Sequence, residues 1–228
     1  MKHQNWQCLP GSYDEFHLEE WNFKSRNPSG IPDLLPQDFD LPENALFSGY
    51  RFKRPERINA QQDVCHGFLE DYKLSSLFGS PNKSLNHAKR YFAICTPNFP
   101  LSDEYPDVIN VFNVFRSRWL GRFWQEHGMR VIPTVNWAGF SSYLTSFAGI
   151  SQGQILALTI PDEIEATQDI KLFRDGYYEM EQILKPRLIL VRGDLKLVHV
   201  TPSTPIITIS KWQKSRSKRN EQGASVNL

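Results

Sequence analysis

Asp107-Val-Ile-Asn-Val-Phe-Asn-Val-Phe-Arg-Ser-Arg-Trp-Leu-Gly-Arg-Phe-Trp-Gln-Glu-His127, followed at once by Gly128-Met-Arg-Val-Ile-Pro-Thr-Val135, decides the fold class. Val108, Phe112, Phe115, Trp119 and Phe123 recur three or four apart, the spacing that puts side chains on one helical stripe. Pro106 stands where a helix tolerates proline, and Gly128 where a helix commonly ends. Arg130–Val135 is then short, apolar and rich in β-branched residues, which predicts a strand. Proline has no N–H to donate to a ladder, so Pro133 predicts a bulge in that strand.

The same alternation extends in both directions. Val64–Leu69, Tyr91–Cys95, Ile155–Ile160 and Arg187–Val191 read as further strands, with connections long enough for crossovers. A second helix is predicted over about residues 167–184, where Ile170, Phe173, Tyr177, Met180 and Leu184 share a face ahead of Pro186. Strands alternating with helices imply an α/β fold of about five mostly parallel strands with crossover helices, as an open sheet or a partial barrel. Beyond Gly193, Leu195–Val200 and Ile206–Ile209 read as edge strands or a hairpin.

Three regions are expected along the chain. Residues 1–62 carry scattered prolines and aromatics (Trp6, Phe16, Trp21, Phe23, Phe39, Phe47, Phe52) without helical period, as in an irregular arm packed on the body. Residues 63–210 form the α/β domain. Residues 211–228 form a flexible tail in which Lys211, Lys214, Arg216, Lys218 and Arg219 face one acid, Glu221. The tail therefore carries +4 and the rest −3, which argues against a large phosphate-binding surface on the body. A weak, salt-sensitive nucleic-acid contact by the tail stays open. The three cysteines do not suggest a disulfide framework, no His/Cys pair has metal-ligand spacing, and no apolar run is long enough to span a bilayer. A cytoplasmic protein without a resident metal is the expectation, with its cofactors unknown.

In parallel α/β folds ligands bind beyond the carboxyl ends of the strands. The residues at those ends are Glu70-Asp71, Asn98, Asn136-Trp137, Thr159 with Asp162, and Arg192. Asp71, Asn98 and Asp162 are also ordinary cap and turn residues. Trp137 and Arg192 are not, and they tilt the set toward a site. Asp71 and Arg192 are the candidate catalytic residues, and Asn98, Asn136 and Trp137 the candidate substrate-binding ones. Arg118 and Arg122 lie one turn apart at the border of the helical stripe. An internal ion pair, a snorkelling side chain and an anionic ligand all remain open for them. Phosphate loops, nucleophile elbows and zinc-protease motifs are absent from the sequence.

Thr96-Pro-Asn-Phe-Pro100, Asn113-Val-Phe-Arg-Ser-Arg-Trp-Leu-Gly-Arg-Phe-Trp-Gln125, Gly128-Met-Arg-Val-Ile-Pro-Thr-Val-Asn-Trp137 and Phe147-Ala-Gly-Ile150 resemble a family known as domain of unknown function 4417. The resemblance covers roughly residues 63–195. It implies an origin in phage, plasmid or other mobile elements and supplies no activity. In that family aspartate usually stands at the position of Asn98, so a carboxylate role does not carry over here. Three functional readings follow. The first is an enzyme or enzyme-derived protein acting on a nucleotide or nucleic-acid base, with Trp137 as a stacking face and Asn98 and Asn136 as hydrogen-bonding amides. The second is a non-catalytic binding or inhibitory protein acting on a host partner. The third is a metal-dependent hydrolase using Glu70, Asp71 and Asp162.

Overall fold

A computed structural model describes residues 21–50, 62–69, 71–160, 164 and 166–209. The expectations for the basic tail, for Glu70 and Asp162, and for the side chain of Asp71 lie outside the described residues.

The fold is α/β and parallel throughout. β1 (Phe47–Gly49), β2 (Val64–Gly67), β3 (Ala93–Pro97) and β4 (Val131–Ile132) form one sheet in that order. β5 (Ile155–Thr159), β6 (Leu188–Arg192) and β7 (Ile206–Thr208) form a second. Every described pairing is parallel, and neither sheet closes into a barrel. The helices are α1 (Asp71–Gly79), α2 (Pro81–Ala88), α3 (Asp107–Glu126), α4 (Tyr143–Ser146) and α5 (Thr167–Leu184).

Pro133 is where the two sheets meet. Val131 and Ile132 pair with Ile94 and Cys95 of β3, but beyond the proline the chain changes partner, and Thr134 bridges Ala157 of β5. The Pro133 carbonyl accepts from Ala157 N–H at 2.9 Å, and Val135 N–H donates to the Ala157 carbonyl at 2.8 Å. The proline thus occupies the one step of the strand at which a missing N–H matters least. The expected bulge is a change of partner.

Alternation along the strands sorts the core into two sides. Cys65 and Ile94 face α1–α3, while Leu156, Leu158, Ile189 and Val191 face α5. Val64, Ala93, Cys95, Ile132, Ile155, Ala157, Leu190 and Ile209 meet in a third cluster that draws on nearly every strand.

α3 is the central helix. Trp119 is fully buried, stacked on Phe123 at 5.3 Å and edge-on to Phe78 at 5.5 Å, and its Nε1–H donates to the Trp21 carbonyl at 3.1 Å. Gly121 lets the helix sit directly on β3, because a Cβ there would meet Thr96 Cγ2 at 2.6 Å. The expected apolar stripe fails at its first member. Val108 is 68% exposed, and Leu120 and Trp124 complete the buried face instead.

Two further expectations are corrected. Residues 195–198 form a 3-10 turn rather than a strand, because the Asp194 carboxylate caps Lys196 N–H at 3.0 Å and His199 adopts a left-handed conformation. β7 therefore joins β6 in parallel and not through a hairpin. The described part of the N-terminal arm is also more regular than expected, since it supplies β1 as an edge strand. Gln37 anchors it, with its amide bridging the Met129 carbonyl at 2.9 Å and Val131 N–H at 2.8 Å.

Trp119→Ala should lower stability by roughly 3–5 kcal/mol through the cavity it leaves; chemical denaturation measures this, and a loss below about 1 kcal/mol would refute the packing of α3. Two imidazoles carry a pH dependence. Burial, with help from Arg192, pushes His66 down to about 4; burial, with help from Arg90, does the same to His87. The unfolded chain takes up these protons near pH 6.5, before the folded one does. Stability should therefore fall as pH drops from about 6.5 to about 4. Thermal melts of His66→Gln and His87→Gln should show a shallower fall than the parent, and parallel profiles would contradict the burial.

Candidate functional site

A cleft of about 270 Å³ opens beyond the carboxyl ends of β3, β4 and β5, beside the first turns of α5. Its polar lining comes from Asn98, Asn136, Thr159 and Asp169, and its apolar walls from Pro100, Leu101, Val135, Trp137, Ile164, Leu172 and Phe173. Residues from five separate stretches meet there because parallel strands deliver all their carboxyl ends to one edge.

The loop after β3 forms one side, and α3 holds it. Asn110, Asn113 and Ser117 share one helical face and reach the loop in sequence. Asn110 exchanges two hydrogen bonds with the Ser102 backbone, at 2.8 and 3.2 Å. Asn113 Nδ2 donates to the Pro100 carbonyl at 2.6 Å, and Ser117 Oγ to the Pro97 carbonyl at 2.8 Å. From the other side, Asn136 Nδ2 donates to the Phe99 carbonyl at 2.7 Å, and the Arg116 guanidinium lies 3.7 Å over the Phe99 ring. Asn98, at the centre of this pinned loop, is different. Its Oδ1 is buried and accepts no hydrogen bond.

Trp137 forms the opposite wall and is built into the core. It is 9% exposed and lies 5.1 Å from Phe173 and 6.3 Å from Phe147, centroid to centroid. Gly176 on α5 makes room for it, since a Cβ at that position would stand 2.2 Å from the indole nitrogen. The stacking face expected of Trp137 is thus a wall of the cleft, most of whose ring is packed into the core.

Arg192 flanks the cleft. It is the ladder partner of Thr159, and parallel partners point to the same face. Its Nη1 donates to Thr159 Oγ1 at 3.4 Å. Asp71 opens α1 just after β2, on the same edge of the sheet. Asn98, Asn136 and Trp137 therefore line one cleft and Arg192 adjoins it.

Arg118 and Arg122 do not line it. Arg118 is 2% exposed, and its guanidinium donates to the carbonyls of Thr134 (3.1 Å), Ser146 (2.8 Å) and Ala148 (3.1 Å) and to Ser117 Oγ (3.3 Å). Burial lowers its pKa to about 9, so it stays charged at neutral pH. Arg122 forms an ion pair with Glu126 at 2.6 Å and donates to the Asp33 carbonyl at 3.0 Å. Of the three roles open to this pair, Arg122 takes the internal ion pair. Arg118 takes one that was not anticipated, a clamp on main-chain carbonyls.

Sequence reasoning missed Asp169, Leu172 and Phe173. Phe173 was legible only as part of the buried stripe of α5. Asp169, one turn before it, becomes a cleft residue only once α5 is laid against β5. Among the described residues that line the cleft, Asp169 is the one ionisable group, and no Ser, Cys, His, Lys or Arg is present. The described lining is suited to holding a flat, largely neutral group by its hydrogen-bonding edge.

Among the described residues, no helix is long and apolar enough to cross a membrane. No solved structure matches the chain. Two phage proteins do. The Gene 1 protein of Mycobacterium phage L5 is 34% identical over 193 residues, covering 84% of this chain and 82% of the relative. The Gene 1 protein of Mycobacterium phage D29 is 32% identical over 191 residues, covering 84% of this chain and 70% of the relative. A family model matches residues 23–209, and the chain belongs to that family, described as Domain of unknown function (DUF4417).

Proposed function

We propose that this phage-associated protein binds a nucleobase, presented as a nucleoside or nucleotide, in the cleft at the strand carboxyl ends. The observation that carries the reading is Asn98. A buried acceptor without a donor costs about 1–3 kcal/mol, whereas the carbonyls of Pro97, Phe99 and Pro100 around it each accept a hydrogen bond. A ligand N–H that reaches Asn98 Oδ1 removes that cost on binding. The Phe99 carbonyl already holds the Asn136 amide nitrogen, so Oδ1 is the edge Asn136 offers. Trp137 and Phe173 supply aromatic surface, and base–aromatic contacts contribute about 1–3 kcal/mol each. The lining pairs amides with aromatics and lacks a described cation, which favours the base over a phosphate inside the cleft itself.

The test is titration calorimetry with adenosine, guanosine, cytidine, uridine and thymidine. At least one should bind to the parent protein, and Asn98→Leu should abolish that binding. The same substitution should leave the melting temperature unchanged or raise it, because it removes an unsatisfied polar atom. Failure of all five nucleosides to bind would end the reading. Gly176→Ala supplies a second check. An alanine in a helix interior normally stabilises by up to about 1 kcal/mol relative to glycine, but here its methyl must displace the Trp137 ring. Binding should weaken at least about tenfold, and undiminished affinity would show that the indole does not shape the cleft.

A further inference from the structure

Recognition of a base through amides and aromatic walls leaves Asp169 unused. It stands in the first turn of α5, is exposed, and is the one ionisable group among the described residues that line the cleft. An acidic residue at that place in a helix is ordinary, because it complements the positive end of the helix dipole. Its surroundings are not. Leu172 and Phe173, one turn further along the same face of α5, form an apolar wall of the cleft. Asp169 makes no side-chain hydrogen bond or ion pair with a described residue.

The polar lining is therefore biased toward acceptors. A carboxylate only accepts, through two oxygens. Asn98 Oδ1 is an acceptor without a donor, and Asn136 has its Nδ2 committed to the Phe99 carbonyl, which leaves its Oδ1. Thr159 adds a hydroxyl, which donates or accepts and whose own contacts to the Ile160 and Arg192 carbonyls are long, at 3.4 Å. A base whose edge is rich in N–H groups fits such a lining, and one that turns lone pairs toward it is repelled. Guanine carries its N1–H and its N2 amino group side by side, two donors that match the two oxygens of one carboxylate. Adenine sets the N1 lone pair beside its amino group, and cytosine the N3 lone pair. Uracil and thymine flank a single N3–H with two carbonyls.

We propose that Asp169 selects guanine among the bases by accepting from its N1–H and N2 amino group, so that the ligand class is a guanine nucleoside or nucleotide. The inference rests on the base reading for what occupies the cleft, and on Asp169 for the choice of base. Because Asp169 is exposed rather than packed in the core, its substitution reads recognition and not folding.

Calorimetry with guanosine, inosine, xanthosine, adenosine, cytidine and uridine tests the proposal on the parent protein and on Asp169→Asn. Inosine is guanosine without the N2 amino group, and xanthosine has a carbonyl in its place. In the parent, guanosine should bind at least about tenfold tighter than inosine, adenosine, cytidine or uridine, because a site built to accept N–H groups discriminates against analogues that lack them. Asp169→Asn puts an NH2 donor where one oxygen stood. Guanosine should then lose at least about tenfold, and xanthosine, whose C2 carbonyl accepts from that NH2, should gain. Melts of the variant identify any loss of fold, in which case the guanosine-to-inosine ratio of the parent decides. Equal affinity of guanosine and inosine in the parent, or unchanged guanosine affinity in Asp169→Asn, would overturn guanine selection, while binding of any nucleoside leaves the base reading standing. A loss of guanosine with no gain of xanthosine would mark general damage and overturn the role of Asp169. No binding by any of the six would end both readings.

Discussion

One buried cation holds the two sheets in relation to each other. Arg118 sits inside the protein, and its guanidinium donates to three main-chain carbonyls and a serine hydroxyl. Thr134 lies where the chain leaves the first sheet and pairs with the second, while Ser146 and Ala148 lie at the end of α4 and just beyond it. Carbonyls so placed cannot satisfy one another, and each buried acceptor left unpaired is costly. A planar guanidinium with five donors reaches them together, which a lysine ammonium on its flexible stem would not do with the same geometry. The desolvation of the charge is the opposing term, and it appears as the lowered pKa.

From that clamp the geometry of the cleft follows. With Thr134 fixed, Asn136 and Trp137 leave β4 in a defined direction, and Asn136 ties back to the loop after β3. Three polar side chains on one face of α3 pin that loop from beneath. The polar residues on the buried side of α3 are thus used on loop carbonyls. What remains is a rigid wall in which Asn98 Oδ1 alone is unsatisfied among the loop's side chains that face the cleft. Preorganisation of this kind reduces the ordering cost of binding a small ligand.

A buried apolar cluster that draws on both sheets joins them behind the cleft. The amphipathic face of α3 and the flush packing allowed by Gly121 and Gly176 set how closely the helices press on the sheets, and so how narrow the cleft is.

Local chemistry alone determined a good deal. The alternation of β-branched runs with helical stripes specified a parallel α/β fold, the bounds of α5, and the strand-end positions of Asn98, Asn136, Trp137 and Arg192. These are short-range properties, set by side-chain period, capping and proline geometry, and they survive translation from sequence to structure. Pro133 marked an irregularity, but whether it meant a bulge or a change of partner depended on which strand came alongside. β1 was unreadable because three residues in an aromatic, proline-rich arm become a strand only when β2 offers its edge. Residues 195–198 misled because Leu-Lys-Leu-Val alternates like a strand, while the Asp194 cap turns the chain instead. The roles of Arg118, Asp169 and Phe173 and the burial of Trp137 were decided by tertiary structure alone. Each depends on a partner distant in sequence, and hydrogen bonds and packing between separate elements leave no periodic trace in either segment.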